Sequence, residues 1–121
     1  MALRDAFKRL ATPVTELDRE RLRHFCAGVE GATKIVDLLP RAEATIVGEI
    51  TSVRIVPRPD GSPWLEATIS DGTGSVVVMW TGRVQIAGVS SGRRLSVCGR
   101  GAPKGRGGRL LIYNPRYELL A

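Results

Sequence analysis

Two stretches of the sequence carry residues whose types and spacing suit contact with a polyanion. Arg100-Gly-Ala-Pro-Lys104-Gly-Arg106-Gly-Gly108, followed at once by Arg109, sets four cations among four glycines. Glycine has no Cβ, so such a loop lets backbone approach a phosphate closely while the cations supply the attraction. Upstream, Pro57-Arg58-Pro59-Asp60-Gly61-Ser62-Pro63 is a loop by its proline and glycine content, with Arg54 just before it and Trp64 just after. An indole at a loop mouth is a platform on which a flat ring can stack. The candidate binding residues are therefore Arg54, Arg58, Trp64, Arg100, Lys104, Arg106 and Arg109, with Asp60 opposing the first two. A solvated turn is the other reading of the glycine-rich stretch.

Other chemistries find less to work with. Cys26 and Cys98 make no disulfide framework, and with His24 as the one histidine they fall short of a four-ligand zinc site. Both cysteines read as small hydrophobes. The carboxylates Glu43, Glu49, Asp60, Glu66, Asp71 and Glu118 have no histidine among residues 41–121 and no nucleophile constellation beside them. Asp60 and Asp71 fall at turn positions, where turn chemistry accounts for them. No Gly-Lys-Ser/Thr phosphate loop occurs. Neither catalysis nor a metal or other cofactor is expected. The longest uncharged apolar run, Val76–Trp80, is far too short to span a bilayer, and the charged first residues contain no apolar signal core. A cytoplasmic protein with no membrane partner is the expectation.

The chain has 121 residues, room for one compact domain and a short appendage. Its net charge is +6, and 15 of its 18 cations are Arg. Residues 1–40 are nearly neutral, with seven cations and six anions, whereas residues 41–121 hold eleven cations and six anions. Between Gly72 and Tyr117 there are eight cations and no anion. Such a surface favours nucleic acid first and anionic membrane second. A lipid-surface role is disfavoured because the cations map to loops and strands rather than to one face of an amphipathic helix.

The elements that must position these residues follow from periodicity. Leu3, Phe7 and Leu10 share a helical face, and Thr12-Pro13 breaks it or opens a second helix. A helix from about Leu17 to Ala27 would carry the stripe Leu17, Arg21 and Phe25, with Leu22 and Cys26 beside it and Gly28 ending it. From Arg41 the period becomes that of strands. A long β-branched strand spans Ala44–Val56, with Gly48 marking a bulge or bend. Trp64–Ser70 alternates, with Leu65, Ala67 and Ile69 inward and Trp64, Glu66 and Thr68 outward. Asp71-Gly72-Thr73-Gly74 is a hairpin into Ser75–Trp80. A strand at Arg93/Arg94–Gly99 and a fifth at Arg109–Tyr113 follow a loop over Thr81–Gly92. Trp80, in phase with Val76 and Val78, points inward, while Tyr113 and Tyr117 are ambiguous.

Five short strands, the first long and bent, fit a mainly β five-stranded OB-fold Greek-key barrel over residues 41–121, preceded by a short helical extension over residues 1–40. An SH3-like barrel has a similar count, but the bent first strand argues against it. Gly48, Asp71-Gly72-Thr73-Gly74-Ser75, Trp80 and the exit Tyr113-Asn114-Pro115-Arg116-Tyr117-Glu118 resemble the OB-fold nucleic-acid-binding domain family, which includes anticodon-binding domains and the wedge domain of RecG helicases. The whole chain resembles short stand-alone actinobacterial OB-fold proteins, whose helical N-terminus is similar to Leu17–Cys26. The resemblance implies ligand contact on strands two and three, between Pro57–Pro63 and Arg100–Gly108. It implies a non-catalytic module for single-stranded or branched DNA, with RNA possible. The alternative is a protein-interaction module docking on a larger DNA- or RNA-processing complex, with residues 1–40 as the protein-binding part.

Overall fold

A computed structural model describes residues 14–103 and 110–120. Helix α1 spans Val14–Ala27, a 3-10 turn spans Ile35–Asp37, and six strands follow: β1 Glu43–Pro57, β2 Pro63–Ser70, β3 Ser75–Thr81, β4 Arg94–Pro103, β5 Leu110–Tyr113 and β6 Arg116–Leu120. The expected stripe Leu3, Phe7 and Leu10 and the break at Thr12-Pro13 lie outside the described residues.

The sheet order is β1-β2-β3-β5-β4-β6, and β1 also pairs with β4. The first half of β1, Glu43–Glu49, runs antiparallel to β4, and its second half, Glu49–Pro57, runs antiparallel to β2. Strand β3 pairs with β5 in parallel. The sequence predicts five strands, and the described residues form six. Arg116–Leu120 continues past the Asn114-Pro115 corner and adds to β4, with Tyr117 and Leu119 opposite Val97 and Leu95 on the inward side. Strand β4 also runs four residues beyond Gly99, since Gly101, Ala102 and Pro103 pair with Ile112, Leu111 and Leu110.

Gly48 does not carry the bulge. The ladder shifts register between Ile50 and Ser52. Gly48 lies one residue before β1 passes from β4 to β2, and there the chains cross closely: a Cβ on Gly48 would sit 2.7 Å from the Ser70 carbonyl oxygen and would strike the Ile69 side chain.

Alternation fills the interior. Ile46 and Ile50 of β1, Leu65, Ala67 and Ile69 of β2, Val76, Val78 and Trp80 of β3, Leu95 and Val97 of β4 and Ile112 of β5 form one core. The β3–β4 connection holds no helix, but Ile86 and Val89 turn in from it and join that core. Trp80 is buried, donates its indole N–H to the Pro115 carbonyl at 3.4 Å, and meets Tyr117 edge-on at 5.7 Å.

Helix α1 packs on the outside of β1. Leu22 and Cys26 are its buried residues and cover Val47, with Phe25 and Leu120 at the margin. Leu17, expected in the apolar stripe, is exposed. The seam is set by Val47, and Leu22 and Cys26 face it with Phe25 beside them, whereas Leu17 lies off it. The β2–β3 hairpin clamps the segment in place. Asp71 is buried; its Oδ1 accepts from Thr73 N, Thr73 Oγ1 and Gly74 N, and its Oδ2 accepts from Ile35 N at 2.8 Å. One carboxylate thus shapes the turn and satisfies the start of the 3-10 turn.

Candidate nucleic-acid interface

The outer face of the second half of β1 with β2, β3 and β5 follows directly from register. Val56 lies opposite Trp64, Arg54 opposite Glu66, and Ser52 opposite Thr68. Next come Thr81, Met79 and Val77 of β3, then Tyr113 beside Met79 and Leu111 beside Val77. The expected outward side of β2 is therefore the centre of a four-strand surface. It is more apolar than alternation alone implied: Val77, Met79 and Leu111 are only 2%, 5% and 6% exposed and form a second cluster with Val56 and Trp64.

Polar and aromatic groups stand around this floor. Arg54 donates from Nε to Glu66 Oε1 at 2.8 Å. Glu66 is buried while the guanidinium reaches solvent, so the carboxylate anchors an otherwise free cation. That bond raises the arginine's pKa further above its ordinary value and keeps it charged. Arg58 sits 3.9 Å above the Trp64 ring centre, and Trp64 meets Tyr113 edge-on at 5.9 Å and 86°. Trp64 points outward, yet one of its faces carries Arg58. This contact is worth about 0.5–1 kcal/mol at an exposed site, small enough for another flat group to displace. Asp60 accepts from both Ser62 N and Ser62 Oγ, which lowers its pKa and shapes the loop.

The structure brings Arg54, Arg58 and Trp64 together and adds Tyr113, 48% exposed, which sequence reasoning left ambiguous. The signal was present: with Ile112 inward, alternation puts Tyr113 outward beside Met79. Arg100 is placed differently from expectation. It lies within β4 rather than in a loop, opposite Glu43 of β1, and donates from Nη1 to the Arg41 carbonyl. Glycine and proline are poor strand formers, so local preference predicts a loop at Gly101–Pro103, but pairing with β5 overrides that preference. Lys104, Arg106 and Arg109 lie outside the described residues.

Among the described residues no group of three or more His, Cys, Asp or Glu side chains is placed to hold a metal ion, and no helix is long and apolar enough to cross a membrane. Cys26 is buried, and burial pushes its thiol up to about 11, with Asp71 contributing.

No protein-family model matches the sequence, and no curated protein matches it. Solved structures do. A chain of RecG bound to a three-way DNA junction matches 94% of this chain with 25% identity and a TM-score of 0.57; this chain spans 16% of that one. The second OB-fold domain of replication protein A from Methanococcus maripaludis matches 74% of this chain and 94% of its own length, with 22% identity and a TM-score of 0.53. The chain has an OB fold, as its strand pattern and exit segment led one to expect.

Proposed function

We propose that this chain is a non-catalytic nucleic-acid-binding module that holds single-stranded or branched DNA on the outer face of β1, β2, β3 and β5. The observation that carries this reading is the convergence of Arg54, Arg58, Trp64 and Tyr113 around one apolar floor. Cations meet the phosphates, and the aromatic pair offers ring faces and edges to unpaired bases. A duplex hides its base faces and has less to gain there. The likeness to a RecG chain solved with a three-way DNA junction supports a branched or single-stranded ligand over a plain duplex.

A second reading is favoured by one observation. In the RecG chain this fold is a small part of a far longer protein, and here Val36 and Leu39, in and beside the 3-10 turn, are exposed apolar residues. They offer a docking surface for a larger nucleic-acid-processing partner, compatible with the first reading.

The deciding experiment is fluorescence anisotropy with single-stranded DNA, fork, duplex and RNA of matched length at low salt. The expected order is single strand or fork above duplex. Equal binding to all four would reduce the protein to a non-selective polycation binder, and no binding to any would overturn the proposal.

A further inference from the structure

A second group of cations lies next to Tyr113 on the adjoining outer face. Arg116 donates from Nη2 to Glu43 Oε1 at 3.2 Å, and Arg100 Nη2 lies 3.8 Å from Glu43 Oε2. Arg116 is 80% exposed and Arg100 67%. Arg41 is exposed too, and its backbone is fixed: its N–H donates to the Gly101 carbonyl and its own carbonyl accepts from Arg100. Two arginines thus border one carboxylate, an excess of one positive charge, and Arg41 stands exposed two residues before it in the chain.

The corner between Tyr113 and Arg116 is rigid. Asn114 adopts a φ of 47°, its N–H donates to the Met79 carbonyl at 2.7 Å, and its side-chain oxygen accepts from Thr81 N at 3.0 Å. Pro115 follows and is buried. Three residues of chain span at most about 11 Å, so Arg116 stands within that reach of Tyr113. Tyr113 belongs to the β3–β5 face and Arg116 to the β4–β6 face, and the fixed corner joins them.

We propose that the nucleic-acid path does not end at Tyr113 but turns over the Asn114 corner, so that the phosphates of the departing strand meet Arg116, Arg100 and Arg41. This rests on the reading of the Trp64 face given above. Glu43 holds Arg100 and Arg116 in place while no phosphate is there, and an arriving phosphate competes with it. A basic groove that tracks the backbone beyond the stacking platform extends the number of nucleotides bound, and OB folds occupy from about 4 to about 16.

The test compares labelled oligodeoxythymidylates of about 5 and about 16 nucleotides, lengths chosen from that range. The double substitution Arg100→Gln with Arg116→Gln should weaken the long oligomer several-fold at low salt and leave the short one unchanged. It should also reduce the long oligomer's salt slope by about 1.4, at roughly 0.7 for each single-strand phosphate no longer neutralised. Glu43→Gln should strengthen the long oligomer alone, and Arg116→Lys should retain most of the long-oligomer affinity because a point charge suffices. Equal weakening at both lengths would place these arginines in the first site and overturn the extended path, as would no weakening at either. If the unsubstituted protein binds neither length, the underlying reading fails and the extension with it. If Trp64→Ala leaves the short oligomer unaffected while the arginine pair still governs the long one, the extended path stands and the stacking role fails.

Discussion

Trp64 is the residue on which the proposed function leans most. Its ring is presented by strand alternation, steadied by the edge of Tyr113 and covered on one face by Arg58. A stacked base is worth about 1–3 kcal/mol, so Trp64→Ala should weaken single-strand binding by that amount, with Tyr113→Ala at the lower end. Titration of the folded variants by anisotropy checks this, and unchanged affinity would remove the residue from the interface. The two thiols should differ for a simpler reason. The Cys26 thiol is held neutral by burial up to about pH 11, whereas Cys98 is half-buried on the outer face of β4. A raised folded pKa adds stability that is fully present below the unfolded thiol's value and fades as pH climbs through 11. Alkylation of the folded protein should therefore modify the more accessible Cys98 first, as mass spectrometry of digested protein would show. Equal labelling would contradict the packing of Cys26 of α1 against Val47 of β1.

At the scale of elements, the β2–β3 hairpin does more than reverse the chain. Gly72 has a φ of 86°, and a Cβ there would lie 2.7 Å from the Arg19 carbonyl, so the hairpin is both a turn and the seat of α1. Gly72→Ala should destabilise the protein by about 1–3 kcal/mol through backbone strain, with the steric conflict added. Asp71→Ala should cost a similar amount, about 1–3 kcal/mol for each buried donor left unpaired, Ile35 N being the most enclosed. Thermal unfolding followed by circular dichroism measures both. The turn was legible in Asp71-Gly72-Thr73-Gly74 because its chemistry is local. The bond to Ile35 was not legible, since it joins residues far apart in sequence and depends on how the connector lies across the hairpin. Helix α1 shows the same division: its existence was readable from periodicity, but which stripe faces inward was decided by Val47.

For the whole molecule the governing quantity is charge. If the ligand path neutralises four phosphates, log affinity against log salt should have a slope of roughly −3 for single strands. A slope near zero with binding intact would show that stacking and burial, not cations, hold the ligand.

The alternation of β2 and β3 determined the inward core and the outward placement of Trp64, because side chains on a strand point to opposite faces whatever lies beyond them. The excess of cations in residues 41–121 was equally readable, because composition needs no coordinates. The tertiary structure alone decided which outward residues share a surface. Register set Tyr113 beside Met79 and Trp64, and it set Arg100 against Glu43 rather than beside Arg58. It also turned the tail into a sixth strand that places Arg116 one rigid corner from Tyr113. Those facts depend on pairing between distant segments, which local preference cannot encode because hydrogen-bond partners across a sheet are fixed only when the whole sheet forms.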